Sequence, residues 1–315
     1  MVELKNSGTK SCETLLASYR QKVNKPIAVE KIRFDGVAGK DVYNISAPFE
    51  DEGELVIAGR VEERNSEQSE TYFFVKRDGI WLPRSGSPVL QLQDPFYTRI
   101  NDELIFGGVE TFPHPQDSRR LAWRTVFYKG ANVNELRPFF VGPDHMKDLR
   151  LVQTKNGDIG VFTRPQGEKG GRGKIGFTKV RSLNELTIDV VMEAPILEGQ
   201  FLDDEWGGCN EIHLLSNGLL GILGHIARFD GAGNRHYYPM IFIYDPEKGV
   251  FSDMEIIAER ADFLSGPYKR PDLANVVFGG GLVRHPDGTA DLYAGTSDAE
   301  AQKMTIEDPF LKFER

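Results

Sequence analysis

Two series of polar residues recur along the chain in a pattern that could bring them together for chemistry. The first is Asn44, Asp94, Asp148, Asn210 and Asn275, spaced by 50, 54, 62 and 65 residues, each opening a run of strand-forming residues. The second is Arg60, Glu110, Arg164, His225 and Asp298, which close the apolar runs LVIAGR, LIFGGVE, GVFTR, LGILGH and LYAGTSD. Carboxyls move protons, Arg, Lys and His hold anions, and amides grip hydroxyls. Asn and Asp also begin strands and turns for purely structural reasons. A charge after an apolar run is often just the strand leaving the core. The shared register, rather than any single member, therefore carries the functional reading. Brought into one pit, the two series make a site for carbohydrate chemistry. Sugar hydroxyls need donors and acceptors, and a glycosidic oxygen needs an acid. Phe96, Tyr97, Trp206 and Tyr238 offer apolar faces for sugar rings.

The elements that must position these residues are strands. Short runs rich in Val, Ile, Phe, Tyr and Thr alternate with Gly, Pro, Asn and Asp along most of the chain. They group in threes and fours, with groups starting near residues 42, 94, 147, 210 and 274. The third group is expected to end in a strand over Thr187 to Met192. Four-stranded units repeating at this length are the mark of propeller blades. A blade cannot bury both faces alone, and a closed ring solves that. The expected fold is all-β: a five-bladed β-propeller spanning residues 1–315 as a single domain. Ser11 to Lys22 reads as a short N-terminal helical segment. The fifth group lacks a clear fourth strand, and Ile27 to Phe34 is expected to supply it and close the ring. The competing architectures are a β-sandwich or two β domains, but no linker-like shift in composition divides the chain.

The formal net charge of −9 argues against nucleic acid and against an anionic membrane surface. No apolar run is long enough to span a bilayer, and the N-terminal stretch MVELKNSGTK lacks a signal-peptide core. Two cysteines, Cys12 and Cys209, make neither a disulfide framework nor a zinc set. A reduced, cytoplasmic protein is expected. The glycine-rich stretch QGEKGGRG invites a phosphate-loop reading, but Glu168 and Ile175 stand where Gly and Ser or Thr are required. It reads instead as a basic hairpin loop that could cover a site.

Several segments together resemble one family. Asn44 with Ala47-Pro48 and Arg60, then Gln93-Asp94-Pro95 with Thr98, then Lys147-Asp148 with Arg164-Pro165, are similar to the five-bladed β-mannoside phosphorylases. Leu223-Gly224-His225, Asn275-Val276-Val277-Phe278 and the run from Leu292 to Asp298 complete the match. The chain most resembles the β-1,2-mannan (mannogen) phosphorylase/mannosyltransferase branch. It departs at Gln93 and Phe96, where the bacterial phosphorylases usually show Glu and Arg. Leu151-Val152-Gln153 also replaces a more typical Leu-Phe-Pro.

The resemblance implies inverting, reversible transfer of mannose between mannose 1-phosphate and a mannose or mannooligosaccharide acceptor. Asp94 would be the general acid. Asn44, Arg60, Asp148, Tyr238 and Asp298 would hold the sugar. Lys147, Arg150, Arg164 and His225 would hold phosphate. Phosphate is already nucleophilic, so no second carboxylate need activate it, and no metal or cofactor is called for. Phosphate or mannose 1-phosphate serves as co-substrate. Two readings of other classes stay open. One is an inverting hydrolase with Asp94 as acid and Asp148, Glu110 or Asp298 as base; the other is a non-catalytic propeller that binds glycan or protein. A nucleotide-sugar donor is also possible, although no nucleotide-binding motif is present.

Overall fold

The structure, a computed structural model, describes residues 4–22 and 26–314. It is built mostly of antiparallel strands. A single long helix, α1 (Cys12–Gln21), precedes them. Ser11 caps it by accepting from the Thr14 amide at 3.1 Å, and Cys12, Leu15 and Leu16 are its buried residues. The strand β1 (Ala28–Lys31) follows.

The remaining strands fall into consecutive sets. The first set is β2 (Asp41–Tyr43), β3 (Phe49–Asp51), β4 (Glu54–Glu62), β5 (Glu70–Arg77) and β6 (Ile80–Pro83). The second is β7 (Gln93–Ile100), β8 (Glu103–His114), β9 (Asp117–Gly130) and β10 (Arg137–Val141). The third is β11 (Arg150–Gln153), β12 (Ile159–Thr163) and β13 (Gly176–Val180), with two helices, α2 (Gly167–Gly170) and α3 (Ile188–Glu193). The fourth is β14 (Trp206–Leu214), β15 (Leu220–Phe229) and β16 (Arg235–Asp245), edged by β17 (Val250–Phe251) and β18 (Glu255–Ile256). The fifth is β19 (Asn275–Arg284), β20 (Thr289–Thr296) and β21 (Glu300–Glu307).

As the sequence suggested, the segment after α1 completes the last set. β1 pairs antiparallel with β21, Val29 opposite Met304. A short parallel pairing of His236 with Asn275 and Tyr237 with Val276 joins the fourth and fifth sets into one sheet. One strand expectation fails. Thr187 to Met192 is not a strand, because the Thr187 hydroxyl accepts from the Val190 amide and starts α3. Helix capping there overrides the β-branched composition of the segment.

Packing explains why the sets stay together. Each hydrophobic cluster draws on two consecutive sets. Phe49, Phe73 and Val75 meet Phe106 and Val126, whereas Phe96 and Phe127 meet Leu151 and Val161. Phe162 and Phe177 meet Ile222 and Phe242, with Leu15 and Leu16 of α1 beside them. Leu223 and Ile241 meet Val277 and Leu292. The last cluster returns to the start: Ile57, Phe74 and Trp81 pack with Ala301. Both faces of each set are thereby buried, which suits unbroken apolar runs such as LIFGG better than strict alternation. The inner strands touch in the same order, β4 to β7, β7 to β11, β11 to β14 and β14 to β19, and β2 meets β20 and β21.

Candidate active site

Several residues at strand ends near one another share an uncommon backbone. Asn44, Asp94 and Asp148 have φ of 44°, 50° and 61°, and Ser297 and Asp298 have 55° and 50°. Left-handed backbone is costly for residues other than glycine, and Asn and Asp tolerate it best. At Asp94 the ladder of β7 with β8 also shifts register between Gln93 and Phe96. Such concentrations of strain cluster at functional sites.

The structure brings two groups of side chains together here. In the first, Asp94 Oδ1 accepts from Asn44 Nδ2 at 2.8 Å and from Arg60 Nη1 at 3.2 Å. Its other oxygen, Oδ2, takes no hydrogen bond from the described residues. Arg60 is held from behind. Its Nη2 lies 3.0 Å from Glu62 Oε2, its Nε is 2.9 Å from the Ser69 hydroxyl, and its guanidinium rests on the Tyr43 ring at 4.9 Å. Glu62 also accepts from Tyr43, Ser69 and Lys269. Burial works to raise the Glu62 carboxyl, but Arg60 and Lys269 outweigh it and hold it below the ordinary carboxylate range.

Asp298 has no hydrogen-bond partner among the described residues. Burial pushes its carboxyl from 3.8 up to about 6; Arg60 opposes the rise and the neighbouring Asp94 charge adds to it. The turn that carries it is fixed by the Ser297 hydroxyl, which donates to the Ala274 carbonyl at 2.9 Å.

The second group comes from the third and fourth sets. Arg164 Nε donates to the Gly207 carbonyl at 2.8 Å and lies 3.3 Å from Asp148 Oδ2. His225 Nε2 is 3.9 Å from the same oxygen. Burial favours the neutral Asp148 carboxyl, yet Arg164, then Lys147, keep it below the ordinary range. Gly208 makes the arrangement possible, since a Cβ there would stand 2.9 Å from Asp148 Oδ2 and 2.9 Å from Arg164 Cδ.

His225 is the main revision of role. Burial pushes its imidazole from 6.5 down to about 3, which favours the neutral ring over the cation expected to hold phosphate. Asn210 Nδ2 donates to the Gly279 carbonyl at 2.7 Å, which turns Asn210 Oδ1 towards His225 Nδ1 at 2.8 Å. Nδ1 is then the donor and Nε2 presents a lone pair to the pit.

Lys147 links the two groups. Lys147 is close enough to lower the carboxyl pKa of both Asp148 and Asp298, and its ammonium has no ion pair among the described residues. Three buried polar atoms lack a hydrogen-bond partner and belong to these groups: Asn44 Oδ1, Asp148 Oδ2 and Arg164 Nη1. Buried polar atoms are normally satisfied, so three unpaired ones among the described residues are uncommon here, although Asn44 Oδ1 lies against Gly295.

Several expected members lie elsewhere. Tyr238 is buried in the core between the third and fourth sets, beneath α1. His225 pairs with Pro239 across the ladder, so the residue on its face of β16 is Tyr237, two positions away. Tyr237 stacks on His225 at 5.5 Å and accepts from Trp206 Nε1 at 3.0 Å. Arg150 lies flat on Phe96 at 3.7 Å and gives Nε and Nη1 to the Asn210 and Leu149 carbonyls, which makes it a brace between sets. Asn275 is exposed at the start of β19. Glu110 is occupied by Arg124 Nε at 2.7 Å. Phe96 is core, and Tyr97 packs on Phe49 at 4.4 Å. Sequence reasoning passed over Glu62 and Lys269. Glu62 had a signal, being two residues after Arg60 and so on the same strand face; Lys269, in an irregular segment, had none.

The family model described as a protein of unknown function (DUF1861) matches residues 19–312. MPT-4, a mannose phosphorylase from Leishmania mexicana solved in complex with phosphate ion, is 34% identical, with a TM-score of 0.87 over 96% of this chain and 94% of that one. MPT-1, a GDP-Man-dependent mannosyltransferase from the same organism, is 30% identical, with a TM-score of 0.86 over 96% and 95%. The β-1,2-mannobiose phosphorylase from Listeria innocua shares the fold at 14% identity, with a TM-score of 0.62 over 92% and 94%. No curated protein matches in sequence.

Proposed function

This chain belongs to the DUF1861 family and to the mannogen phosphorylase/mannosyltransferase group related to the β-mannoside phosphorylases, and we propose that it is a mannoside phosphorylase acting reversibly on mannose 1-phosphate and a β-1,2-mannooligosaccharide. We read the five strand sets as blades of one propeller, with the pit on its axis. The observation that carries the proposal is that Arg164 Nη1 is buried without a partner and that the Lys147 ammonium has no ion pair among the described residues; we read the two as an anion seat. The likeness to a mannose phosphorylase holding phosphate supports it.

In phosphorolysis a phosphate oxygen attacks the anomeric carbon from the face opposite the glycosidic bond. That bond breaks, and the leaving oxygen takes the proton of Asp94, directly or through a sugar hydroxyl. Asn44 and Arg60 bind Asp94 Oδ1, which leaves Oδ2 to carry and deliver the proton. Lys147 and Arg164 hold phosphate. His225 Nε2 accepts from a sugar hydroxyl or from a protonated phosphate oxygen. Asp298 and Asp148 accept from mannose hydroxyls, and Tyr237 takes the apolar role first given to Tyr238. Run backwards, Asp94 removes the acceptor's proton as mannose 1-phosphate breaks.

A hydrolase would need a second carboxylate free to take a proton from water. Asp148 is clamped by Arg164, and Asp298 stands beside Asp94. Both free cysteines are buried, which suits the reducing cytosol. Among the described residues no helix is long and apolar enough to cross a membrane.

The test is to incubate the protein with mannose 1-phosphate and mannose and to measure phosphate release, chain products and anomeric configuration. GDP-mannose is supplied in parallel. Phosphate-dependent cleavage of the product with inversion supports the proposal. Mannose release that ignores phosphate would make it a hydrolase, and transfer only from GDP-mannose would make it a nucleotide-sugar transferase.

A further inference from the structure

Glu62 stands behind the residues expected to meet substrate and touches only Arg60 among them, yet it is only 1% exposed and gathers five donor contacts. They come from Tyr43, Ser69, Lys269 and two nitrogens of Arg60. Carboxylates this deep are found only when strongly paired. The arrangement spans the pit wall. Arg60 and Glu62 lie on β4, and Lys269 comes from the irregular segment between β18 and β19. Lys269 is anchored by its own amide, which donates to the Ser297 carbonyl at 3.0 Å, next to Asp298. Its ammonium also lies 3.1 Å from Glu67, which Arg270 meets at 3.0 Å.

The charges facing the proposed acid can be named. Arg60 contacts Asp94 directly, Arg150 lies within electrostatic reach, and Asp298 is its carboxyl neighbour. Asp298 faces Arg60, Asp94, Lys269 and Lys147. Without Glu62, more of the charge of Arg60 and Lys269 would fall on this side of the pit and favour the Asp298 anion, against the burial that raises its carboxyl.

We propose that Glu62 is a positioning residue for the transfer reaction: it clamps Arg60 so that only Nη1 reaches Asp94, and it takes up Lys269 so that this cation does not act in full on Asp298. The role rests on the reading of Asp94 as the acid, but its test does not need turnover. The carboxyl carbons of aspartate are labelled with 13C, the Asp298 signal is assigned with Asp298→Asn, and its midpoint is followed by NMR over pH. Glu62→Gln removes the buried counter-charge of Arg60 and Lys269, leaves them only the half-exposed Glu67 on that side, and lowers the midpoint, by about one pH unit for a charge within several ångströms. Lys269→Met removes a cation from the cluster and raises it by a similar amount. The double variant removes an ion pair of zero net charge and returns it close to wild type. A midpoint that does not move, or that moves in the same direction in both single variants, overturns the proposal, since mere damage to the fold would not give opposite signs. If one single variant fails to fold, the other single and the double variant decide it. Loss of phosphate dependence in the wild-type assay would refute the phosphorylase reading separately, leaving the titration result to stand or fall alone.

Discussion

Arg164 offers the sharpest test of the anion seat. Its guanidinium has distinct tasks on distinct nitrogens: Nε holds the Gly207 carbonyl and faces Asp148, Nη2 reaches the Arg172 carbonyl at 3.4 Å, and Nη1 is buried without a partner. If Nη1 is spent on phosphate, its loss removes one charge-assisted hydrogen bond, about 1.5–3 kcal/mol, or roughly 10- to 150-fold in affinity. Arg164→Ala should therefore raise the phosphate KM by that factor while the mannoside KM changes less than about threefold. The variant also strips Asp148 of its main counter-charge, so some stability is lost. Arg164→Lys separates the effects. It keeps a cation beside Asp148 but cannot reproduce the fork, so the fold recovers more than the phosphate KM does. Initial rates over a grid of phosphate and mannoside concentrations, with thermal melts beside them, read both quantities. Equal losses for phosphate and mannoside, or none for phosphate, would show that Arg164 serves the fold or the sugar and that the anion sits elsewhere.

Asp94→Asn should keep phosphate and mannose binding, measured by calorimetry, and lose about 10²–10⁴-fold in turnover in both directions. The loss should shrink for aryl mannosides, whose leaving groups need little protonation. Asp298 should leave a mark on stability. Its folded carboxyl titrates at about 6 against 3.8 ordinarily, so the folded state keeps the proton longer, and stability falls as pH rises through that window. Asp298→Asn should flatten this fall in urea midpoints taken from pH 4 to 8; a difference from wild type that is constant over pH would contradict it. Gly295→Ala should destabilise by about 1–3 kcal/mol in urea melts and abolish activity, because the new Cβ would run into Asn44 Oδ1 and the Asn44 amide.

How much of this was legible beforehand depended on what each residue required. The repeating strand sets and the closing strand at Ala28–Lys31 were readable because apolar runs and Gly or Asn turns are local signals. Asn44, Asp94, Asp148, Arg60, Arg164 and His225 were readable because each stands at a fixed place relative to such a run. Tyr238, expected in the pit, lies in the core, and Tyr237 stands beside His225 instead. Choosing between Tyr237 and Tyr238 needs the ladder register with His225, and two adjacent tyrosines carry no such information. The effect of burial on His225 was not legible for a related reason, since burial is a property of the assembled sheets. Lys269 reaches Glu62 across 207 residues of chain, a contact that no local pattern encodes.

The backbone supplies an independent reason to read these residues as functional. Asn44, Asp94, Asp148 and Asp298 all hold left-handed conformations that glycine would adopt at lower cost. A structural ring that needed only the turn would be more stable with glycine at those four places. What the strain secures is a polar side chain, rather than glycine's hydrogen, at the end of a strand. Three of the four are carboxyls, of which Asp94 and Asp298 are neighbours and Asp148 lies beside Arg164, and among the described residues Arg164 Nη1 and Lys147 stay unpaired. Repulsion among the carboxyls and the unmet donors are both relieved by the same occupant: an anion beside the cations, with hydroxyl groups bridging to the acids. A sugar and a phosphate meeting at one carbon provide that combination. A neutral glycan alone would answer the carboxyls and leave the cations unmet.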